Sequence, residues 1–489
     1  MRRTKIVCTI GPASRSAAML EQLVEAGMNV ARLNFSHGTY AERIETIDHI
    51  RAISDRLSKP VAILQDLAGP KVRIGDLASG PVHLETGQTF TLTSRNVPGG
   101  AQEVSLTYAG LPGDVRSGDT LLLNDGALEM TVHETTDSDI ICRVVVGGML
   151  APRKGINVPS RSLRVPFLTD KDKHDLAFGI GHSVDYVALS FVRAVADVQA
   201  ARQVVEELAG ADGPPLIAKI EKHEALADID AILDEADGIM VARGDLGVEI
   251  PIERVPRVQK MLIRKANESA KPVTTATQML RSMVESPRPT RAEATDVANA
   301  IMDGTDAVML SEETAVGRYP VESVQMMDRM ARDAEECEER RDVQADHALR
   351  LQHEEAVALA AAQLSEQIDA AAIITCTQSG STTRLVSKQR PRISLLSLTP
   401  DKRTFREMAL VWGAIPLLMG PAEGVETMER QALQSAMRAG LVREGDVVVI
   451  TAGLPLHVPG TTNTVKVAVA GRESGRSMCL PDHNETEVE

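Results

Sequence analysis

Aromatic residues are scarce in this chain: one tryptophan, four tyrosines and six phenylalanines occur among 489 residues. Hydrophobic residues nevertheless make up 43% of the sequence and charged residues 25%. The chain can therefore form large cores, and these must be mainly aliphatic. No uninterrupted apolar run approaches the ~20 residues that a membrane-spanning helix requires. Length and composition predict a soluble protein of about three domains.

Cysteines are also few: the five present are scattered, and no CxxC pair occurs. This distribution excludes a disulfide framework and a cysteine-type zinc site, and it indicates a reducing compartment. The basic residues 1–15 enclose an apolar stretch too short for a signal peptide. The net charge of −15 argues against nucleic acid or an anionic membrane surface as the main partner. We therefore expect a cytoplasmic protein that binds neither nucleic acid nor a membrane.

Several short motifs of phosphate and hydrolase chemistry are missing. The sequence contains no GxxxxGK[ST], no GxGxxG after a strand, no HExxH and no GxSxG. Any handling of phosphate must therefore come from arginine, lysine and a metal ion.

Strand-like runs alternate with amphipathic helical segments along most of the chain. Three such strands precede residue 70 and five follow residue 169, whereas residues 71–168 carry strand-like runs separated by Gly, Pro and Asn-Asp-Gly. Eight alternating units favour a closed (β/α)8 barrel over the alternative, an open doubly wound sheet. We predict a barrel of residues 1–70 and 169–342, an inserted all-β unit of residues 71–168, an α/β domain of residues 343–472 and a polar tail of residues 473–489.

Polar residues cluster at the carboxyl ends of the predicted barrel strands, where such barrels carry their chemistry. Lys219 and Glu221 are two residues apart on strand five, so they point to the same side. With Asp245 after strand six, Glu221 would offer Mg²⁺ two carboxylates from neighbouring strands. The alternatives are an internal Lys219–Glu221 ion pair and an ordinary loop carboxylate at Asp245. Other polar residues at strand ends are Arg32, Asn34, Ser36, Asp66, Thr277 and Ser311.

Two of these strand ends suit anions. Arg32 is costly to bury unpaired, so it either pairs with an acid or holds an anionic substrate. In "RGDLG", Gly244 and Gly247 allow a tight turn whose free N–H groups would bind a carboxylate or phosphate. The alternative for this segment is a glycine turn without a ligand.

Long stretches of the chain resemble pyruvate kinases, in order and over nearly the whole length. They are "TKIVCTIGPAS", "MNVARLNFSHG", "KGINVP", "LIAKIEKHEAL", "GIMVARGDLGVEIP", "TTATQML", "PTRAEATDVANAIMDGTDAVMLSEETAVGRYP" and "GDVVVITAGLPLHVPGTTN". The resemblance implies a (β/α)8 TIM barrel with an inserted small β-barrel lid and a C-terminal regulatory α/β domain, usually assembled as a homotetramer. It also implies the glycolytic reaction of phosphoenolpyruvate with ADP, which gives pyruvate and ATP.

The resemblance further implies the role of each matching residue. Glu221 and Asp245 would hold Mg²⁺ (or Mn²⁺), and Lys219 and Arg32 would balance the charge of the transferring phosphoryl group. The substrate carboxylate would bind the N–H groups of Gly244 and Asp245 together with Thr277. The residues toward the nucleotide would be Arg73, His37 and Asn34. The proton donor to the enolate stays open among Thr277, Ser311 and a water relay.

Two residues of the insert could face the cleft when the lid closes over it. They are Asp125 in "LNDGALEM" and Lys154 in "RKGINVP". The alternative for Asp125 is a simple Asn-Asp-Gly hairpin turn. A lid that closes would exclude water and limit wasteful hydrolysis.

Lys71, after a Gly-Pro turn, departs from the common pattern of the resembled family. Many members need K⁺, which is held by residues matching Asn34, Ser36, Asp66 and the carbonyl of Leu67. Those members carry glutamate at the position of Lys71, and this chain also differs at Leu67, Ala68 and Ile74. An ammonium group near Asp66 could replace the bound cation, so we predict that K⁺ is not required. The alternative is a solvated lysine at the lid hinge.

A second candidate site lies in "TCTQSGSTTRLVSKQRP", where a strand, a hydroxyl-rich loop and a helix follow one another. Hydroxyl and N–H groups at a helix start form a natural phosphate cradle. The residues are Thr377, Ser379, Ser381, Thr382 and Thr383. In the resembled family this loop binds phosphorylated allosteric effectors, whereas the alternative is an ordinary capped helix.

Two other functions compete with the kinase interpretation. A metal-dependent aldolase or lyase acting on pyruvate-like enolates would use the same barrel and the same carboxylate pair, but the nucleotide-side residues and the lid favour the kinase. A non-enzymatic, metabolite-sensing protein would lack site residues. Here they are all present: Arg32, Lys219, Glu221, Asp245 and Thr277.

Overall fold

The computed structural model describes residues 1–159, 161–336, 351–456, 458 and 460–471. They fall into two compact units: the first comprises the described residues up to 336 together with Ala409–Trp412, and the second comprises the remainder. The predicted boundary near residue 342 and the predicted tail of residues 473–489 lie outside the described residues. None of the helices described is long and apolar enough to cross a membrane.

Residues 1–66 form the first three strands of a barrel and the two helices between them. The elements are β1 (Lys5–Thr9), α1 (Ala17–Ala26), β2 (Val30–Asn34), α2 (Tyr40–Leu57) and β3 (Ala62–Asp66). α1 begins where the Ser16 side chain accepts a hydrogen bond from the Met19 N–H, and it ends at Gly27 with φ 122°. Thr39 and Glu42 form a capping box that starts α2. Local signals in the sequence therefore set where each helix begins or ends.

The predicted insertion, residues 71–168, is hereafter called the lid domain, and its described residues form mainly short strands. Its elements are β4 (Val82–Leu84), β5 (Thr89–Thr93), β6 (Glu103–Ser105), α3 (Leu111–Asp114), β7 (Thr120–Leu123), β8 (Leu128–Thr135), β9 (Asp139–Val146), β10 (Gly148–Leu150) and β11 (Ile156–Asn157). One sheet has the order β11-β7-β8-β9-β5-β6, and β10 pairs with β4 in a second. Asn124, Asp125 and Gly126 all have positive φ, and this Asn-Asp-Gly turn, which is the alternative given for Asp125, joins β7 to β8.

The chain then returns to the barrel and completes it. The elements are α4 (Asp170–Gly181), β12 (Tyr186–Leu189), α5 (Val195–Ala209), β13 (Leu216–Ile220), α6 (His223–Ala227), α7 (Ile229–Glu235), β14 (Gly238–Ala242), α8 (Arg243–Glu249), α9 (Val255–Glu268), β15 (Val273–Ala276), α10 (Arg291–Met302), β16 (Ala307–Leu310), α11 (Glu312–Ala315) and α12 (Pro320–Glu336). The strands close in the order β1-β16-β15-β14-β13-β12-β3-β2, and every neighbouring pair is parallel. The predicted closed barrel is confirmed, and all its carboxyl ends meet at one face.

The second unit is a parallel sheet with one antiparallel edge strand. Its elements are α13 (His353–Gln367), β17 (Ala372–Cys376), α14 (Ser381–Lys388), β18 (Ser394–Thr399), α15 (Lys402–Glu407), β19 (Ala414–Leu418), α16 (Val425–Arg438), β20 (Val447–Gly453) and β21 (Thr462–Val469). The strand order is β19-β18-β17-β20-β21, and β21 runs antiparallel to β20. The core is aliphatic, with Ile374, Leu396 and Ile450 buried. The hydroxyl-rich loop joins β17, near the centre of the sheet, to α14.

Candidate active site

A cavity of about 380 Å³ opens at the carboxyl ends of the barrel strands. It is lined by polar residues that lie far apart in the sequence. Those predicted from the sequence are Arg32, Asn34, His37, Lys219, Glu221, Asp245, Thr277 and Ser311. The closed parallel barrel brings them together because each of its strands ends at the same face.

The buried carboxylate of Asp66 holds two cations at this face. Its Oδ2 accepts a hydrogen bond from Arg32 Nε at 2.6 Å, and its Oδ1 accepts one from Lys219 Nζ at 3.2 Å. Burial alone would raise the pKa of the Asp66 carboxyl, but Arg32 and Lys219 together hold it below its usual value. Asp66 is therefore an anion that fixes the positions of both cations.

Lys219 lies between two carboxylates and a hydroxyl. Its Nζ is 2.9 Å from Glu221 Oε1 and donates to Ser190 Oγ at 2.7 Å. Burial would lower the pKa of Lys219, but Asp66 and Glu221 outweigh it and raise the pKa. The internal ion pair between Lys219 and Glu221, which is the alternative given for these two residues, is therefore present. Both residues also line the cavity. Lys219 is a fixed positive charge at neutral pH.

The carboxylates of Glu221 and Asp245 are groups of the kind that bind a divalent cation. Glu221 Oε2 accepts the N–H of Phe191 at 2.8 Å. Burial raises the pKa of the Glu221 carboxyl and the charge of Asp245 adds to the rise, although Lys219 opposes it. A cation bound to both carboxylates would relieve their repulsion, and such oxygen atoms are the ligands that Mg²⁺ prefers. The donor set therefore fits a hard divalent metal ion.

The turn after β15 is strained and held in place. Thr277 has φ 73°, which is costly for a β-branched residue. The guanidinium of Arg243 donates to the Thr277 carbonyl at 2.8 Å and to Asp296 at 2.7 Å. Gly244 N–H donates to Thr277 Oγ1 at 2.7 Å. An incoming carboxylate would therefore share or replace a bond that this N–H already makes.

Lys71 contacts a different carboxylate from the one expected. Its Nζ donates to Asp245 Oδ1 at 3.0 Å and lies 3.8 Å from Asp125 Oδ1. The expected pairing with Asp66 is thereby corrected. Asp66 is 1% exposed and already compensated by two cations, whereas the Asp245 side chain is 25% exposed and can be reached from the lid domain.

Other predicted residues lie outside the lining of this cavity. Arg73 belongs to the lid domain, where its guanidinium donates to the carbonyl of Arg153 at 3.1 Å. Ser36 is exposed, and its N–H donates to Asn34 Oδ1 at 3.0 Å. The carbonyl of Leu67 accepts the Ser190 hydroxyl at 2.8 Å. Their predicted nucleotide and cation roles stay predictions.

Three supporting residues were missed by the sequence reasoning. Ser190 joins Lys219 to Asp66, and Thr9 Oγ1 accepts from Arg32 Nη1 at 2.9 Å. Both lie at or just after the carboxyl end of a barrel strand, so the strand-end rule could have found them. Phe191, with φ 60°, acts on Glu221 through its backbone N–H, and its residue type carries no signal for that contact.

The loop after β17 lines a smaller cavity, of about 60 Å³, in the second unit. Its hydroxyl lining comes from four residues of the predicted group, Thr377, Ser379, Ser381 and Thr382, and from Thr461, which was not predicted. In the described part of the chain, no side chain accepts a hydrogen bond from the N–H groups of the first turn of α14. The capped-helix alternative is therefore not what this loop adopts.

The predicted group of effector-binding hydroxyls has to be corrected at one residue, Thr383. Its hydroxyl is 0% exposed and lies 2.7 Å from Thr375 Oγ1 and 2.8 Å from Ser397 Oγ. The third position of α14 faces β17 and β18, so this hydroxyl belongs to the core and not to the cavity.

Family models describe nearly the whole chain. The model "Pyruvate kinase, barrel domain" matches residues 1–324, and "Pyruvate kinase, alpha/beta domain" matches residues 355–468. A crystal structure of a pyruvate kinase from Cryptosporidium parvum superposes with a TM-score of 0.89 at 38% identity, covering 96% of each chain.

Relatives that match nearly the whole of this chain are also named pyruvate kinases. "Pyruvate kinase 2" of Synechocystis sp. is 49% identical over 481 residues, which cover 98% of this chain and 81% of the relative. Pyruvate kinase of Geobacillus stearothermophilus is 46% identical over 472 residues, which cover 96% of this chain and 80% of the relative. None of these matches supports the aldolase alternative. With two family models and relatives of this identity along its length, the chain belongs to the pyruvate kinase family.

Proposed function

We propose that this enzyme transfers the phosphoryl group of phosphoenolpyruvate to ADP in a Mg²⁺-dependent reaction that yields pyruvate and ATP. One observation carries the proposal: Arg32 and Lys219, pinned by the buried Asp66, line the same cavity as the carboxylates Glu221 and Asp245. Phosphoryl transfer needs reactants held in line and cations around the equatorial oxygens, with little covalent help from the protein. The cavity supplies such a set of fixed charges.

Glu221 and Asp245 would hold the metal ion, Mg²⁺ or Mn²⁺. When bound, it would supply positive charge to the phosphoryl oxygens and to the enolate oxygen that forms as the phosphoryl group leaves. Phe191 and Lys219 each engage one oxygen of Glu221 and thereby orient its carboxylate toward the cavity.

Arg32 and Lys219 would stabilise the charge on the transferring group. Asp66 and Glu221 raise the pKa of Lys219, and a lysine that keeps its proton suits the role of a fixed charge. The substrate carboxylate would bind at Gly244, Asp245 and Thr277, where Arg243 holds the turn. Closing of the lid domain would bring Arg73 toward a nucleotide that also contacts Asn34 and His37.

Dependence on ADP separates this function from the aldolase. The purified enzyme, given phosphoenolpyruvate and Mg²⁺, should form pyruvate only when ADP is added, with one ATP per pyruvate. Phosphorus NMR of the mixture would follow the loss of phosphoenolpyruvate and the conversion of ADP into ATP. Pyruvate formed from a carbon–carbon cleavage substrate, without ADP, would contradict the proposal.

The enzyme should also work without K⁺, with the ammonium of Lys71 supplying the missing charge. The supporting observation is its contact with Asp245 at the cavity. A Lys71→Glu variant should become K⁺-dependent, because it exchanges that charge for a carboxylate able to hold K⁺. Equal turnover of this variant with and without K⁺ would overturn the idea, and Lys71→Arg is the matched control.

A phosphorylated effector would bind the hydroxyl-rich loop of the second unit, through Ser381, Thr382 and neighbouring N–H groups. Titration calorimetry with a hexose phosphate and a nucleoside monophosphate tests this. Absence of heat with both would count against the site.

We further propose a cytoplasmic homotetramer. The free, buried thiols of Cys8, Cys142 and Cys376 fit a reducing compartment. Sedimentation velocity would measure the assembly.

A further inference from the structure

The loop between β2 and α2, residues 35–39, is contacted by two cationic side chains that do not line the barrel cavity. His37 of this loop does line the cavity, at the place where a nucleotide is proposed to bind. We propose that Arg43 and Lys171 are positioning residues for the nucleotide: they hold the backbone of this loop so that His37 faces the cavity. The inference rests on the proposed nucleotide site and adds to it two residues that act through the loop.

Arg43 reaches the loop because it lies in the first turn of α2. Side chains of an α-helix point back toward its N-terminus, so this guanidinium lies against the residues that precede the helix. Its Nη2 donates to the His37 carbonyl at 2.6 Å, and its Cζ lies 4.0 Å from the centroid of the Phe35 ring. Arg43 is 8% exposed, and Phe35 is fully buried. Because a guanidinium is planar and stacks on an aromatic face, the two contacts together fix the position of the His37 backbone.

Lys171 holds the other end of the same loop. It lies in the first turn of α4, and its Nζ donates to the Phe35 carbonyl at 2.8 Å and to Asp175 Oδ2 at 2.5 Å. The side chain of Lys171 is 55% exposed, so its bonds are exchanged with water and contribute less than those of Arg43. The carbonyls of Phe35 and His37 are thus both bonded to cations, one at the surface and one buried.

Three of the few aromatic residues of the chain pack together at this loop. The ring centroid of Phe178, in α4, lies 5.9 Å from that of Phe35 and 4.6 Å from that of Tyr40. The Tyr40 hydroxyl donates at 2.7 Å to Asp175, the buried carboxylate that also pairs with Lys171. The contacts join α2 to α4 on either side of the loop. A loop supported in this way can hold a ligand-binding side chain in one position.

The stability of α2 does not by itself explain an arginine at position 43. A cation in the first turn of a helix opposes the helix dipole, whereas an acidic residue such as Glu42 is favoured there. The Phe35 ring and the His37 carbonyl compensate the charge of Arg43. The placement of this residue is therefore better explained by the loop than by the helix.

The Michaelis constants for the two substrates test the proposal. Arg43→Met should raise KM for ADP roughly tenfold, because a charge-assisted hydrogen bond to the loop is lost, while KM for phosphoenolpyruvate changes less than about twofold. Arg43→Lys should restore part of the affinity, since an ammonium can still donate to the His37 carbonyl. Arg56→Met removes an exposed arginine from the same helix and controls for net charge. Equal rises in both constants would show a general loss of structure and would overturn the proposal.

Direct binding of ADP provides a second measurement, and Lys171→Met provides a variant that an exposed side chain makes easy for the fold to tolerate. In titration calorimetry with Mg²⁺ present, ADP affinity should fall roughly two- to threefold in Lys171→Met and roughly tenfold in Arg43→Met. Unchanged ADP affinity in both variants would overturn the proposal.

His37→Ala distinguishes failure of this inference from failure of the nucleotide site. If His37→Ala weakens ADP binding while Arg43→Met and Lys171→Met do not, the positioning role is wrong and the nucleotide site stands. If none of the three variants weakens ADP binding, the nucleotide site at His37 is itself wrong, and the positioning role is wrong with it.

Discussion

We propose one site for a phosphate-bearing ligand in the barrel and another in the second unit, and the two cavities are lined with opposite chemistry. The barrel cavity is built on ions: Arg32, Lys219, Glu221 and Asp245 line it, and the buried Asp66 lies behind them. Among the described residues that line the smaller cavity of the second unit, none is charged, and the polar groups are hydroxyls, an amide and backbone.

The difference in lining suits the two tasks that we propose for these cavities. A site that stabilises a moving charge needs cations that are already fixed before the substrate arrives, and burial of their counter-ion supplies that rigidity. A site that binds and releases an effector needs only hydrogen bonds, which can be exchanged with water at little net free energy. The ionic site should therefore fail severely when one charge is removed, and the hydroxyl site should weaken only by degrees.

The largest expected effect is on turnover in Lys219→Met. Removal of this fixed charge should lower kcat by roughly 10³-fold, which is the scale for losing one preorganised electrostatic contact. Steady-state assays well below the unfolding temperature would measure it, with Lys173→Met as the charge control. Turnover within tenfold of the wild type would show that the ionic network is structural only.

The pH dependence of the unfolding free energy distinguishes the buried ionic network from the buried hydroxyl chain, and two variants, Asp66→Asn and Thr383→Val, make the comparison. Asp66→Asn should cost about 3–5 kcal/mol of unfolding free energy at pH 7, because it leaves Arg32 and Lys219 without their buried anion. The pKa of Asp66 is lowered in the folded state, so its contribution is complete above the unfolded pKa of about 4. It is lost as pH falls through the lower folded value, so the difference between wild type and variant should shrink below pH 4.

Thr383→Val is the uncharged counterpart. It breaks the buried chain of hydroxyls from Thr375 to Ser397 and should cost about 1–2 kcal/mol, equally at every pH. Urea unfolding of both variants between pH 3 and pH 8 gives the comparison. Parallel pH profiles for the two variants would contradict the distinction drawn between the buried ionic network and the buried hydroxyl chain.

Ser190→Ala should have an intermediate effect. Ser190 touches Lys219 and Asp66, so its loss should let the ammonium shift and lower kcat by roughly tenfold, while KM changes less. Ser190→Thr should restore part of the rate, since it returns the hydroxyl. An unchanged kcat in Ser190→Ala would remove this residue from the positioning network.

The smallest expected effect is in the hydroxyl loop. Ser381→Ala should weaken binding of a hexose phosphate or nucleoside monophosphate by roughly three- to tenfold, which is the scale of the net contribution of one ordinary hydrogen bond that is exchanged with water. Titration calorimetry would measure it. A loss of a thousandfold or more would mean that this loop, too, depends on one dominant contact.

Much of the barrel site could be predicted because the period of a strand and the closure of a barrel fix where side chains meet. Lys219 and Glu221 follow from their spacing, and Asp245 follows from the next strand. The partner of Lys71 could not be predicted, since it depends on where the lid domain lies against the barrel. Thr383 was assigned to the loop because the sequence does not show which turn positions of α14 face the sheet.

One assay tests the central claim: pyruvate formation by the purified enzyme with phosphoenolpyruvate, ADP and Mg²⁺, in buffers with and without K⁺. We expect comparable turnover in both, because the cations that the reaction needs are the metal ion and the side chains of Arg32, Lys219 and Lys71. Turnover only with K⁺ would contradict the role of Lys71, and no turnover in either buffer at saturating substrate would contradict the kinase account itself.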